Sequence, residues 1–285
     1  MELKIDGHTQ VYGIFGNPIE HSLSPTLHNP VFKKLGMNAV YLPFKIAPES
    51  LGLAFEGMRS LGIRGVNITI PFKEDALNYL DEIPEDMDRL TGAVNTVVQK
   101  DGQLLGYNTD GPGFITALKD ELSFKPEGKD ILIVGAGGAA RGVLFALARA
   151  GVERIFILNR THDRAQGLAE YAAQYFSETE IVSVSSASEL PPKSLDLVVN
   201  ATSCGMKGNQ LPLEWNEIKQ PKAAYDLVYT PRETPWLKQA KKLGISCANG
   251  LGMLTEQAAL SFELWTGKKE GVREAMREAV ASCKL

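Results

Sequence analysis

The sequence predicts an α/β protein with two domains, each built mainly on parallel strands. Apolar, β-rich runs alternate with helix-like segments along most of the 285 residues, a pattern typical of parallel strands joined by crossover helices. The alternation is interrupted once, by a hairpin-like segment, and starts again at residue 131. A chain of this length also favours two domains over one.

The first alternating stretch ends in a predicted hairpin. Its two short strands flank Asp101-Gly102, a dipeptide typical of a tight two-residue turn. The preceding strands and helices follow from period-2 and helical spacing of apolar residues. The predicted strands lie near residues 10–15, 39–46 and 65–70, and the predicted helices near 25–35, 49–60 and 74–80.

The second alternating stretch follows a Lys/Pro/Gly-rich linker, which suggests a domain boundary near residues 111–128. It begins with the strand ILIVGAG and the helix AARGVLFALARAG, and continues with the strand RIFILNR and a polar helix from about residue 163. Further strands are predicted at LDLVVNAT and AAYDLVY. The last 35 residues are predicted to be helical, and periodicity alone allows them to cap either domain.

Composition excludes several classes of function. The formal net charge of −4 gives no general attraction for nucleic acid or anionic membranes. No apolar run is long enough to span a membrane, and the first residues lack the apolar core of a signal peptide. Three widely spaced cysteines fit a reducing cytoplasm, and the histidines and cysteines show no metal-binding spacing. We therefore expect a cytoplasmic protein without a metal site.

The segment ILIVGAGGAARG matches the dinucleotide-binding fingerprint of a Rossmann-type domain. Gly135, Gly137 and Ala140 occupy the G-x-G-x-x-G/A positions. The first glycine permits a tight turn, the second lets the backbone approach a pyrophosphate, and Ala140 allows close packing of helix on strand. Because a strand precedes the motif and a helix and second strand follow it, the context favours a real dinucleotide site over a plain glycine turn.

The end of the next strand favours NADP over NAD. An NAD enzyme usually places an acid there to hold the ribose 2′-hydroxyl. This chain instead has Asn159-Arg160-Thr161, with Arg164 one turn later. Guanidinium groups suit a 2′-phosphate. Asp163 lies too far into the helix to replace the missing acid, and a helix merely capped by Thr161 is the structural alternative.

Small polar residues cluster at loop positions in the first half of the chain. In open α/β sheets these strand ends form the ligand site, and hydroxyl and amide groups suit a small polyhydroxylated molecule. For Ser24 we also expect a helix N-cap, with Pro25 following it, whereas His21 and His28 suit packing or surface positions. The clustered residues are Ser22, Ser24, Asn67, Thr69, Asn95, Thr96, Asn108, Thr109 and Asp110.

The segment GVNITIPFKE ends in a lysine that could be a solvated charge or a held active-site amine. Its alternation predicts that Asn67 and Thr69 face a pocket and that Ile68 and Ile70 anchor the opposite face. Pro71 would then fix the exit of the strand, so that Lys73 is presented beside the polar cluster.

Taken together, these segments resemble the shikimate dehydrogenase family in order and over residues 16–267. The resemblance implies reversible reduction of 3-dehydroshikimate to shikimate with NADPH, in the shikimate pathway of aromatic amino-acid and chorismate biosynthesis. It also implies a substrate-binding and catalytic domain of residues 1–111 plus 251–285, and an NADP-binding Rossmann domain of residues 112–250. The segments are GNPIEHSLSPTLHN, GVNITIPFK, GAVNT, GYNTDGPGF, GAGGAARG, NRTHDRA, NATSCGM, DLVYTPRETPWL and NGLGMLTEQAALSFELWTG.

The resemblance implies roles for residues at matching motif positions. It makes Lys73 and Asp110 the catalytic pair. Substrate binding is implied for Ser22, Ser24, Asn67, Thr69, Asn95, Tyr229 and Gln257. Cofactor binding is implied for Gly135, Ala136, Gly137, Gly138, Ala139, Asn159, Arg160, Thr161, Arg164, Thr202, Leu227 and Gly250. Cys204 lies in a variable slot of its motif, so its thiol is expected to be incidental.

Two other functions stay open at the level of sequence. One is a quinate/shikimate dehydrogenase with relaxed cofactor use, against which the two arginines argue. The other is a non-catalytic NADP-binding regulatory protein, which would not need Lys73, Asp110, Asn95 and Gln257 together. A monomer and a homodimer are both compatible with the sequence, and the only expected partner is a small-molecule substrate.

Overall fold

The computed structural model describes residues 5–206 and 213–283. It divides the chain into two compact units, one of Met1–Thr109 with Thr255–Lys284 and one of Asp110–Leu254. The divisions fall two residues before and four residues after the boundaries expected from sequence.

The first unit contains a five-stranded mixed sheet. Strands β1 and β2 run parallel, as do β1 and β3, whereas β3, β4 and β5 are successively antiparallel. The predicted hairpin forms, with Asp101 and Gly102 both at positive φ in its turn. The sheet order is β2-β1-β3-β4-β5. The elements are β1 (Gln10–Gly16), α1 (Ser24–Lys34), β2 (Ala39–Lys45), α2 (Leu51–Ser60), β3 (Gly65–Ile68), α3 (Asp86–Thr91), β4 (Thr96–Lys100) and β5 (Gln103–Tyr107).

The second unit is a six-stranded, wholly parallel sheet with helices between the strands, as the fingerprint predicted. Its order is β11-β10-β9-β6-β7-β8. Strands β8 and β11 were not predicted, because their sequences EIVSV and SCAN are half polar and show no clear apolar run. The elements are α4 (Asp110–Leu122), β6 (Asp130–Val134), α5 (Gly138–Arg149), β7 (Arg154–Leu158), α6 (His162–Ala173), β8 (Glu180–Val184), β9 (Leu197–Asn200), β10 (Ala223–Asp226), α7 (Pro235–Lys242) and β11 (Ser246–Asn249).

Two helices complete the described chain, α8 (Leu251–Thr266) and α9 (Val272–Ala281). Within the first unit, the indole of Trp265 on α8 donates to the carbonyl of Val97 in β4 at 3.0 Å. Helix α9 is joined to α8 by the buried carboxylate of Glu256, which accepts bonds from Arg273 and Arg277 at 2.9 and 2.8 Å. The helical prediction for the C-terminal region is therefore confirmed.

One local prediction in the first unit was wrong. The third strand ends at Ile68 rather than at residue 70, and the side chain of Ile70 is 64% exposed, so it does not anchor a buried face. Pro71, whose ring lacks the N–H that would extend the strand ladder, lies just beyond this end. The helical stretch predicted near residues 74–80 is a 3₁₀ helix, Asp75–Tyr79.

Candidate active site

The polar residues of the first unit gather at one edge of its sheet. Asn67 lies near the carboxyl end of β3, and Thr109 follows β5. Because β4 runs antiparallel to both neighbours, its amino end, with Asn95 just before it, lies at that same edge. Three segments that are distant in sequence therefore deliver amide and hydroxyl groups to one place.

Asn95 is the centre of this cluster and is only 2% exposed. Its Nδ2 donates to Thr109 Oγ1 at 2.8 Å and to Gln257 Oε1 at 3.2 Å. Its Oδ1 accepts from the backbone N–H of Thr109 at 2.8 Å. The structure thus brings together two predicted substrate-binding residues, Asn95 and Gln257.

The Asn67 side chain is held on both sides by protein groups. Its Nδ2 donates to Ser261 Oγ at 2.9 Å and to the backbone carbonyl of Asn95 at 3.1 Å. Its Oδ1 accepts from the Tyr41 hydroxyl at 2.7 Å. Burial raises the pKa of Tyr41 well above its usual value, and the neighbouring Ser24 side chain opposes that rise. Both the nitrogen and the oxygen of the Asn67 amide therefore have protein partners.

Tyr41 and Ser261 were not singled out from the sequence, although each left a signal. Tyr41 is a phenol at an inward position of an edge strand, and a fully buried phenol usually has a hydrogen-bond partner. Ser261 lies four residues after Gln257, on the same helical face, within an otherwise apolar segment. The apolar spacing of the segment predicts a packed helix but does not indicate a role for the serine.

The remaining predicted residues of the first unit lie in its loops. Ser24 is the first residue of α1 and not its N-cap, which is Leu23 without a side-chain capping bond, so that prediction was wrong. The hydroxyl of Ser22 instead accepts from the backbone N–H of Ser24 at 3.2 Å. Thr69 and Lys73 are half-buried and follow β3.

Lys73 is anchored through its own backbone. Its carbonyl accepts from the N–H of Val94 at 2.9 Å, and the preceding Phe72 is buried in the core. A backbone hydrogen bond therefore holds Lys73 beside Val94, the residue that precedes Asn95.

In the second unit, the glycine turn after β6 fits a dinucleotide pyrophosphate. Gly135 has a φ of +121°, and a Cβ there would lie 2.9 Å from the carbonyl oxygen of Ala201, so only glycine suits the position. Around Gly137, a Cβ would meet no atom within 4 Å. This open space lies beside the start of α5, where unpaired N–H groups favour phosphates. The neighbouring Ala136, Gly138 and Ala139 are half-buried.

The end of β7 presents two cations. Arg160 and Arg164 are exposed, and neither forms an ion pair with a carboxylate among residues 5–206 and 213–283. Asn159 Nδ2 donates to the carbonyl of Thr161 at 2.8 Å and closes the turn. Thr161 occupies the N-cap position of α6 without a capping side-chain bond, so capping alone does not explain this segment.

The other predicted residues of the second unit also follow strands of its sheet. Thr202 follows β9, whereas Leu227 and Tyr229 follow β10, and burial raises the pKa of Tyr229. Gly250 follows β11 and packs its backbone against the Leu227 carbonyl. Asp110 is the first residue of α4 and is 5% exposed.

The described part of the chain shows two further absences. It contains no helix with the length and apolar character needed to cross a bilayer. Nor does it contain a group of three or more acidic, histidine or cysteine side chains placed to hold a metal ion. Within residues 5–206 and 213–283, none of the three cysteines forms a disulfide.

Comparison with protein families gives three matches along the chain. Residues 14–97 match the shikimate dehydrogenase substrate binding domain. Residues 118–207 match the family described as shikimate / quinate 5-dehydrogenase, and residues 250–281 match the shikimate 5′-dehydrogenase C-terminal domain.

Individual proteins give the same result. A shikimate dehydrogenase (NADP(+)) from Caldanaerobacter subterraneus subsp. tengcongensis is 45% identical, with 96% of this chain and 99% of that protein covered. A crystal structure of a shikimate dehydrogenase in complex with NADP+ aligns with a TM-score of 0.89 at 40% identity, covering 98% of this chain and 96% of the other. The Listeria monocytogenes shikimate 5-dehydrogenase, in complex with shikimate and NAD, aligns with a TM-score of 0.87 at 35% identity, covering 98% and 99%.

Proposed function

The chain belongs to the shikimate dehydrogenase family, and from that premise we propose that it reversibly reduces 3-dehydroshikimate to shikimate with NADPH. This is a step of the shikimate pathway of aromatic amino-acid biosynthesis. The observation that carries the proposal is the buried cluster around Asn95, Thr109 and Gln257, which gathers neutral amide and hydroxyl groups of the kind that suit a polyhydroxylated ring. The three cysteines, which form no disulfide in the described part of the chain, suit a reducing cytoplasm, and we propose that the protein acts there as a monomer or homodimer.

Lys73 and Asp110 are proposed as the catalytic pair. Ketone reduction builds negative charge on the carbonyl oxygen, and a positioned ammonium group both stabilises that charge and supplies the proton. In the oxidation direction the same amine accepts the proton back. Asp110 would orient the amine and the substrate hydroxyl.

The other roles follow from the chemistry of each group. Ser22 and Ser24, at the start of α1, would bind the substrate carboxylate, while Thr69, Asn95, Tyr229 and Gln257 would bind hydroxyls. Asn67, whose amide is already bonded on both sides, would hold Asn95 and Tyr41 in place.

NADPH supplies the hydride. The turn at residues 135–139 would hold its pyrophosphate, and Asn159, Arg160, Thr161 and Arg164 its 2′-phosphate end. Two exposed guanidinium groups at the end of β7, without an acid at the strand end, favour a 2′-phosphate over a free ribose hydroxyl. Thr202, Leu227 and Gly250 would lie on the nicotinamide side.

The decisive experiment follows NADP+-dependent oxidation of shikimate by absorbance, in the wild type and in Lys73→Met. We expect kcat to fall by roughly 10²-fold or more with little change in KM, since general-acid groups contribute about 10²–10⁴-fold. Lys100→Met is the matched control, because Lys100 is an exposed lysine of the same unit. An unchanged kcat in Lys73→Met would contradict the catalytic assignment.

Substrate and cofactor preference need a separate measurement. The values of kcat/KM for shikimate and quinate, each with NADP+ and NAD+, compare the proposed activity with that of a quinate/shikimate dehydrogenase. A preference for quinate would favour the second activity. A protein that binds NADPH but never oxidises shikimate would instead be a non-catalytic sensor.

A further inference from the structure

Asp226, the last residue of β10, has a completely buried carboxylate. It is not among the proposed catalytic or cofactor-binding residues, so those roles do not explain why it is buried. It accepts hydrogen bonds from Asn200 Nδ2 at 2.8 Å, from the backbone N–H of Val228 at 3.0 Å and from Thr234 Oγ1 at 2.6 Å. Burial raises the pKa of this carboxyl, and the three donors oppose that rise. A buried carboxylate whose oxygens are satisfied by several hydrogen bonds holds the donor groups in one arrangement.

On one side, Asp226 fixes the orientation of an amide. Asn200 ends β9 directly opposite Asp226 in the sheet register. An ionised carboxylate only accepts hydrogen bonds, so Asn200 must turn its NH₂ toward it. The Asn200 carbonyl oxygen then faces away and accepts from the N–H and hydroxyl of Thr202 at 3.0 and 2.7 Å. Asp226 therefore sets the Thr202 turn together with the Cys204 carbonyl, which also accepts from Asn200 Nδ2, at 3.2 Å.

On the other side, Asp226 closes the loop after β10. The bonds from Val228 and Thr234 join the two ends of the segment that carries Leu227 and Tyr229. Thr234 is itself fixed, because it caps α7 by accepting from the N–H of Leu237 at 3.3 Å.

Sheet topology shows which part of a dinucleotide these two loops would meet. The glycine turn follows β6 and the arginines follow β7, while β9 and β10 lie on the other side of β6. A dinucleotide with its adenosine phosphate at β7 and its pyrophosphate at β6 must extend its other half over β9 and β10. The Thr202 turn is adjacent to that path, since its Cγ2 would lie 3.0 Å from a Cβ on Gly135.

We propose that Asp226 is a positioning residue that sets the Thr202 turn and the Leu227–Tyr229 loop for the nicotinamide half of the cofactor. This inference rests on the proposed function. It assigns no contact with the cofactor to Asp226 itself, which acts through Asn200 and Thr234.

The test measures the dissociation constants of two ligands by calorimetry, NADPH and adenosine 2′,5′-bisphosphate, which lacks the nicotinamide half. In Asp226→Asn, three donors face a side chain with one acceptor oxygen, and Asn200 can turn over and lose Thr202. Hydrogen bonds to charged groups contribute enough that we expect NADPH to bind roughly tenfold more weakly or worse. The bisphosphate lacks the half that these loops would meet, so it should bind within about twofold of wild type, a difference of about 0.4 kcal/mol.

Asp130→Asn is the matched control. Asp130 is also a buried carboxylate of this sheet, but it begins β6 and pairs with Arg154 at 2.6 Å. The Asp130→Asn substitution should lower the melting temperature without changing the affinity for either ligand. Equal losses of both ligands in Asp226→Asn, or no loss of either, would overturn the positioning role.

Two further results separate the possible failures. If Asp226→Asn does not fold, Thr234→Val, which removes one donor, must weaken NADPH but not the bisphosphate; retention of both affinities would overturn the inference. A wild type that binds neither ligand and does not oxidise shikimate would refute the proposed function and the inference with it. A wild type with normal activity and an unaffected Asp226→Asn would refute the inference alone.

Discussion

His28 provides a quantitative test of how burial controls the acid stability of the first unit. The imidazole is completely buried and stacks on Tyr41 at 4.4 Å between ring centroids, with Phe262 and Trp265 as further ring neighbours. Neither ring nitrogen has a hydrogen-bond partner among the described residues. Burial therefore lowers the pKa of His28 from 6.5 to about 3.

The sign of the pH dependence follows from that depressed pKa. Above pH 6.5 the ring is neutral in both states, so its full contribution to stability is present. As the pH falls from 6.5 toward 3, the unfolded chain binds a proton that the folded chain cannot, and stability is lost. At pH 5 the unfolded pKa lies about 1.5 units above the pH, which amounts to about 2 kcal/mol at 1.36 kcal/mol per unit.

The assay compares His28→Leu with wild type by equilibrium urea unfolding at pH 7, 6 and 5. Removing two buried nitrogens that lack partners stabilises the variant by about 1–3 kcal/mol. Removing the ring stack destabilises it by about 0.5–1.5 kcal/mol, so the two effects largely offset each other at pH 7. We expect the free energy of unfolding of the variant, relative to that of wild type, to rise by about 2 kcal/mol between pH 7 and pH 5. His8→Leu, which alters an exposed histidine, is the matched control.

A difference that stays constant with pH in His28→Leu would refute this reasoning. So would a proton NMR titration in which the His28 ring protonates near pH 6 in the folded protein. Either result would mean that water or a polar partner reaches the imidazole and removes the cost of charging it.

Three further predictions concern the cofactor and the C-terminal helices. Arg160→Ala should weaken NADPH much more than NADH in binding titrations, and equal losses would show that it does not read the 2′-phosphate. Gly137→Ala should melt within about 2 °C of wild type, since a Cβ there meets nothing, yet bind NADPH more weakly. Arg273→Ala leaves the buried Glu256 charge partly unpaired and should destabilise the protein by about 3 kcal/mol in urea, whereas Lys34→Ala, at an exposed pair, should cost under about 1 kcal/mol.

The sequence predicted features that depend on local pattern. The alternation of strands and helices, the Asp101-Gly102 hairpin and the glycine turn at Gly135 each follow from residues within about a dozen positions. The error at Ile70 has the same origin, because a period-2 pattern does not show where a strand stops pairing. The sequence pattern therefore predicted where helices and strands occur more accurately than the residues at which they end.

The parts of the site that escaped prediction depend on partners far apart in the chain. Tyr41 bonds Asn67 across 26 positions, and Ser261 bonds Asn67 across 194. Asp226 bonds Asn200 across 26 positions. A tyrosine, serine or aspartate does not reveal from its neighbours whether it will be buried beside such a partner, because only the sheet register and the docking of α8 decide it.

The polar networks around Asp226 and around Ser261 differ in whether they contain a charge. Around Asp226 an acceptor-only carboxylate dictates the direction of each bond, so the network has one arrangement. Among Thr96, Thr109 and Ser261 either hydroxyl can donate across the contacts of 2.7 Å and 3.3 Å to Ser261. Such a neutral network can reverse its donor directions without moving heavy atoms. Under the proposed function, a ketone oxygen that only accepts hydrogen bonds becomes an alcohol that also donates, and a neutral network near the substrate would suit that change. The difference between the two networks follows from the charge that only one of them contains.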